Sequence, residues 1–422
     1  MSEQADALLS GCRVLDLADE KGLFCSKLLG DLGADVIKIE PPGGDPARDI
    51  GPFYKDIPHL EKSLSWFYAN LHKRGITLNI EMADGRDILK RLVETADFVV
   101  ESFEPGYMES LGLGYSELEK INPRMIMTSI TPFGQTGPHA HYKTTDIVGV
   151  SLGGMVRILG ELDRPPNRIG APQFYHLGGL HGAVGSLVAY YHRELTGEGQ
   201  HVDVSCQQAV VLSLMCVTEL WDMLKYNYRG LGSSYGGRMP DGTVIFNRVI
   251  FPCKDGFVFL LMTGGAAASF VLSSKALVEL ANRDGMALEL KDYQWERMDT
   301  LSVTQEEISR FTESISPFIE TKTKAELVNA ALESDIILAP VSTMKDVAES
   351  PQLAFREFWA KVEHPELGET IPYPGYPVKM SEIPYRVQRR APLIGEHNEE
   401  IYVTELGYSR EQLVTLKNQD II

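Results

Sequence analysis

The chain has 422 residues, 44 % of them hydrophobic and 23 % charged, and carries a formal net charge of −18. Its length supports a large buried core and two domains, and no run approaches the roughly 20 apolar residues that a membrane span requires. So acidic a chain argues against a nucleic-acid partner, which needs a basic face for phosphate.

Taken in chain order, Cys12–Leu17 is a short apolar run, Lys27–Leu32 reads as helix and Asp35–Glu40 as strand. This alternation predicts a βαβ unit and a parallel sheet. A second round follows, with Ile76–Ile80 as strand, Gly85–Thr95 as an amphipathic helix and Asp97–Glu101 as strand; Leu118–Ile121 then leads to the β-rich Met125–Ile130. The first part of the chain, roughly 150 residues, therefore reads as doubly wound α/β. The loop after the first strand reads Ala18-Asp19-Glu20-Lys21-Gly22. It lacks G-x-G-x-x-G, so no nucleotide redox cofactor is expected.

Residues 178–195 predict a long helix whose early turns carry Gly178, Gly179, Gly182, Ala183, Gly185 and Ser186, small residues that suit close helix packing. A further helix is expected at 206–225, a Gly-rich linker at Arg229–Gly242, and a hairpin at Val249–Met262 turning on Lys254-Asp255-Gly256. Helices are expected over 268–335, Pro- and Gly-rich loops over 364–398 and a last helix at 409–417. Cys12, Cys25, Cys206, Cys216 and Cys253 form no CxxC pair and are odd in number, which points to free thiols in a reducing compartment. The ten histidines show neither HxxxH nor HExxH spacing, so no metal is expected. The amino terminus, Met-Ser-Glu-Gln-Ala-Asp, has no basic or apolar region of a signal peptide, and a cytoplasmic location is expected.

Six segments carry a family resemblance: Asp31–Asp45, Asn70–Leu78, Val100–Gly106, Phe133–Pro138, His192–Ser205 and Arg390–Asn398. In this order, and spread over nearly the whole length, they resemble the class III (formyl-CoA transferase-like, CaiB/BaiF) CoA-transferases. The resemblance implies a Rossmann-like large domain formed by both chain ends (1–228 and 336–422), a smaller inserted α/β domain (229–335) and an intertwined dimer. It implies coenzyme A or acyl-CoA as substrate. Lys73 and Arg74 then border the CoA phosphates, where a basic pair makes chemical sense. Ser102 and Phe103 occupy a further CoA contact and Lys143 the place of a pocket lysine, whereas Glu104 stands where several relatives carry Arg. Gly264 and Gly265 resemble a shortened Gly-rich loop over the acyl site, although a simple strand-to-helix turn fits them equally.

The family's nucleophile is an aspartate in the segment matching Arg168–Gly179. Here that position is Tyr175, followed by His176. The aspartate attacks the thioester, and CoA then passes through an aspartyl thioester to the acceptor acid. A carboxylate with a pKa of about 4 is ionised at neutral pH, whereas a phenol near 10 is not. His176 lies one position along, so both side chains are expected to line a vestigial pocket. Asp163, in an earlier loop, lies where relatives carry acidic residues without catalytic duty. The family's racemase branch uses a His-Asp pair, and Thr144-Thr145-Asp146 with Tyr175 supplies neither half. Three readings follow. The favoured one is a catalytically silent subunit paired with a homologous Asp-bearing chain, as in two-subunit members that act in anaerobic degradation of aromatic hydrocarbons, with an aryl-substituted succinate as acceptor. The others are a homodimer with altered chemistry through Tyr175 or His176, and a non-enzymatic CoA-thioester binder. Trp66, Phe174 and Tyr175 would suit an aryl acid but equally suit a core.

Overall fold

The computed structural model describes residues 7–161, 163–238, 242–265, 267–299, 302–383 and 385–422. The chain divides into two compact units, the first comprising Met1–Val156, Ile169–Lys225 and Gln352–Ile422 and the second Arg157–Arg168 and Tyr226–Pro351.

The first unit opens with β1 (Arg13–Asp16), α1 (Leu23–Asp31), β2 (Asp35–Glu40), α2 (Leu64–Ala69), β3 (Arg74–Thr77), α3 (Ala83–Val93) and β4 (Phe98–Glu101). Short helices α4 (Tyr107–Ser110) and α5 (Tyr115–Leu118) lead to β5 (Ile126–Thr131) and α6 (Asp146–Leu152). The 23-residue α7 (Phe174–Thr196), β6 (His201–Ser205), α8 (Cys206–Ser213) and α9 (Val217–Leu224) follow. The six strands form one parallel sheet in the order β3-β2-β1-β4-β5-β6. This is the doubly wound order, and its topology reverses between β1 and β4.

The central strands are buried on both faces, so they read as unbroken apolar runs. Alternate residues serve opposite layers. Leu15, Ile37, Ile76, Val99 and Met127 pack with Ile88, Leu89 and Leu92 of α3 and with Ile401, Tyr402 and Leu416 near the chain's end. Val14, Val36, Phe98 and Ile126 pack with Cys25 and Leu29 of α1 and Ala183 and Ala189 of α7. The small residues of α7 serve this second layer. A Cβ on Gly179 would lie 2.9 Å from the Phe24 Cβ, and one on Gly178 would lie 2.3 Å from the Cys206 sulfur.

The second unit contains β7 (Ser234–Arg238) paired with β8 (Val244–Arg248), then β9 (Ile250–Cys253) and β10 (Gly256–Leu260), the expected hairpin. Helices α10 (Ala268–Arg283), α11 (Gln305–Thr321) and α12 (Lys324–Ser334) precede β11 (Leu338–Pro340), which completes an antiparallel sheet of order β11-β10-β9. Phe251, Val258, Leu277, Trp295, Phe311 and Phe318 form its core. Helix α13 (Met344–Ala348) also belongs to this unit, which extends on both sides of the expected 229–335.

The return segment carries α14 (Pro351–Phe355), the hairpin of β12 (Trp359–His364) and β13 (Glu369–Pro374), a π-helical turn (Glu399–Glu405) and α15 (Arg410–Asn418). Three expectations need correction. The Gly-rich linker at 229–242 contains β7, and the loops expected over 364–398 contain β13. The single helix expected at 206–225 is broken at Met215, whose φ of 56° is incompatible with a continuing right-handed helix.

Candidate functional site

Tyr175 is the second residue of α7. The helix starts there because Asp146, at the head of α6, places its Oδ1 2.7 Å from the Gln173 amide and 2.8 Å from the Phe174 amide, satisfying two of the helix's orphan donors. The Tyr175 ring belongs to the second core layer, 5.3 Å from the Phe174 ring and beside Cys206 and Val210. Its hydroxyl donates to the Thr144 carbonyl at 3.3 Å. Burial, reinforced by Glu20, Cys206, Asp19 and Asp146, pushes the phenol above its ordinary range. Tyr175 is therefore a neutral packing residue whose proton is engaged by a backbone acceptor. His176 leaves the helix on another side and packs against Phe24, with the rings tilted and their centroids 4.5 Å apart. Its outer edge is exposed, yet desolvation of the packed ring lowers its pKa. Trp66 and Phe174 are both enclosed in the core.

In an open α/β sheet the ligand site lies beyond the carboxyl ends of the strands where the topology reverses. Here β1 delivers Asp16 and Asp19, and β4 delivers Glu101, Ser102 and Phe103. The Ser102 hydroxyl donates to Asp19 at 2.7 Å and accepts the Asp19 amide at 3.0 Å. The Phe103 ring lies 4.8 Å from that of Tyr107. Both aromatics border a crevice of about 580 Å³ that also touches Asp19, Glu40, Asp45 and Glu81.

Lys73 and Arg74 have other partners. The Lys73 ammonium is fully buried and uses its three donors on Asp16 (2.8 Å), Ser26 (2.9 Å) and the Leu23 carbonyl (3.1 Å). Arg74 opens β3 in register with Ile37, at the amino end of the sheet, where it binds Asp35, Glu400 and Glu405. In this chain both cations hold the fold together, and neither faces the crevice. Lys143 is exposed and lies 3.8 Å from exposed Glu104. Gly264 and Gly265 form a turn in the second unit: a Cβ on Gly264 would meet the Trp295 carbonyl at 2.3 Å, and the Gly265 amide donates to that oxygen.

Two residues of this region escape a reading by motif. Asp146 caps a helix 28 positions away. Glu101 ends an apolar strand and is almost fully buried, with the Phe103 amide donating to it at 2.8 Å. Its carboxyl is pushed up to about 7 by desolvation, against the lowering effect of Ser129 and that amide. The folded state therefore holds this proton more tightly than the unfolded chain. The associated stability is fully present below the ordinary carboxylate range and is lost as pH rises through about 7. Glu101→Gln should remove a pH-dependent loss on the order of 3 kcal/mol between pH 5 and pH 8. Urea midpoints of both proteins at the two pH values check this, and equal slopes would refute it.

Among the described residues no group of three or more side chains could hold a metal ion, and no helix is long and apolar enough to cross a membrane. Comparison with known proteins places this geometry. The family model for CoA-transferase family III matches residues 9–398. The chain is 35 % identical to the succinyl-CoA:(R)-benzylsuccinate CoA-transferase subunit BbsE of Thauera aromatica, over 94 % of this chain and 93 % of that protein. It is 30 % identical to the succinyl-CoA–L-malate CoA-transferase beta subunit of Chloroflexus aurantiacus, over 98 % of each. The crystal structure of a CaiB/BaiF family protein from Brucella suis matches with a TM-score of 0.79 and 26 % identity, covering 94 % of this chain and 99 % of that one. A six-stranded parallel sheet, a crevice at its carboxyl edge and matches of this extent lead to one assignment: the chain belongs to CoA-transferase family III.

Proposed function

We propose that this chain is the catalytically silent subunit of a heteromeric, cytoplasmic class III CoA-transferase that moves CoA from a dicarboxylic acyl-CoA to an organic acid of the aryl-substituted succinate class. The observation that carries this reading is Tyr175. A core-packed, neutral phenol with its proton on a backbone carbonyl occupies the nucleophile's place. The homologous partner supplies the aspartate. Its carboxylate attacks the donor thioester carbonyl and expels the CoA thiolate; the thiolate returns to the aspartyl carbonyl and frees the donor acid; the acceptor carboxylate attacks the aspartyl thioester and again expels the thiolate, which adds to the acceptor's acyl carbonyl and releases the aspartate. Two relatives named as subunits support a second chain, and so does α7 itself. Leu180, Val184, Val188, Tyr191 and Leu195 recur at helical spacing and are 42 to 71 % exposed, an uncovered apolar stripe of the kind that marks an interface.

Expressing this chain and an Asp-bearing homologue separately and together tests the reading. Activity should require both chains, vanish when the partner's aspartate becomes Asn, and change by no more than about twofold with Tyr175→Phe. Full activity from this chain alone, lost with Tyr175→Phe or His176→Ala, would instead support a homodimer with altered chemistry.

A further inference from the structure

The crevice beyond β1 and β4 sits where the fold takes its ligand, yet its walls are wrong for CoA, which carries a pyrophosphate and a 3′-phosphate. Among its described lining residues there is no Lys, Arg or His, while Asp19, Asp45, Glu81 and Asp420 all line it. The neighbouring cations are already committed. Lys38 is buried on Asp45 at 2.7 Å, Arg48 is buried on Glu40 at 2.6 Å, Lys21 is paired with Asp19, and Lys73 lies on Asp16. Glu81 accepts a bond from the Tyr107 hydroxyl, which leaves its charge in place. Pro41 and Pro42 form part of the wall and offer no N–H to a phosphate.

We propose that this crevice excludes CoA, with Glu81 and Asp420 as the determinants, so that the complex holds one CoA for each pair of chains, in the Asp-bearing subunit alone. The stoichiometry rests on the heteromeric reading above, whereas the exclusion concerns this chain by itself.

Calorimetric titration of the complex with CoA should give one site per pair of chains, and two sites would overturn the proposal. Titration of this chain alone should show no saturable binding at concentrations up to about 1 mM; micromolar binding would overturn the exclusion even if no complex forms. The double variant Glu81→Lys, Asp420→Asn changes two exposed positions, and Asn tolerates the positive φ of 53° at 420. It should strengthen CoA binding by this chain on the order of tenfold or more at low salt, and the gain should fade as salt is added. No gain would overturn the assignment to these two carboxylates. If this chain turns over substrate without a partner, the heteromeric reading fails, and the single-chain titration still decides the exclusion.

Discussion

Lys73→Met should destabilise the protein by about 3–5 kcal/mol, the usual cost of stranding a buried charge. Lys73 is fully buried, and Met matches its volume, so little of the loss would come from a cavity. What remains is Asp16, also fully buried, which keeps the Ala18 amide at 3.0 Å and the Ser26 hydroxyl at 2.6 Å but loses its only ion pair among the described residues. Combining Lys73→Met with Asp16→Asn should recover a large share of the loss, because the second change removes the stranded charge while an amide oxygen can still accept from Ala18. Denaturant midpoints for the two single variants and the double variant form the required cycle. If Lys73→Met unfolds at the wild-type midpoint, the ammonium is not structural and a ligand role returns.

Arg48→Met should have an effect of similar size, again about 3–5 kcal/mol. Its guanidinium grips Glu40 through two nitrogens at 2.6 and 2.8 Å, reaches Glu61 at 2.5 Å, donates to the Pro392 carbonyl at 3.0 Å and stacks 4.0 Å above the Trp66 ring. Lys cannot reproduce a planar fork that is both bidentate and stacked, so Arg48→Lys should recover less than half of the loss. Thermal unfolding of both variants decides this, and a wild-type midpoint for Arg48→Lys would show that charge alone suffices.

Much of the large unit is legible in the chain, because parallel strands buried on both faces leave apolar runs separated by helical stretches, as at Asp35–Glu40 and Phe98–Glu101. The start of α7 is not legible. It begins at Phe174, earlier than the small residues suggest, because the carboxylate that caps it belongs to a distant segment. The strands β7 and β13 are hidden for a related reason. Ser-Tyr-Gly-Gly-Arg and a run with prolines at 372 and 374 have poor strand propensity, and pairing in two-stranded ribbons overrides it. At the site, the tyrosine at position 175 is plain in the sequence. The fate of Lys73 and Arg74 is not, since a basic pair inside a motif reads as an anion site until the fold brings Asp16 from 57 positions away.

The tail that closes the sheet's flank has a consequence for folding. Ile421 and Ile422 are buried, the Ile421 carbonyl receives the Asn79 amide at 2.7 Å, and the Tyr402 hydroxyl reaches the Thr77 carbonyl at 2.6 Å. The outer strand of the large sheet is thus dressed by a segment 325 positions away in the chain, and closing so long a loop slows its folding. Until that contact forms, one layer of apolar side chains stays uncovered.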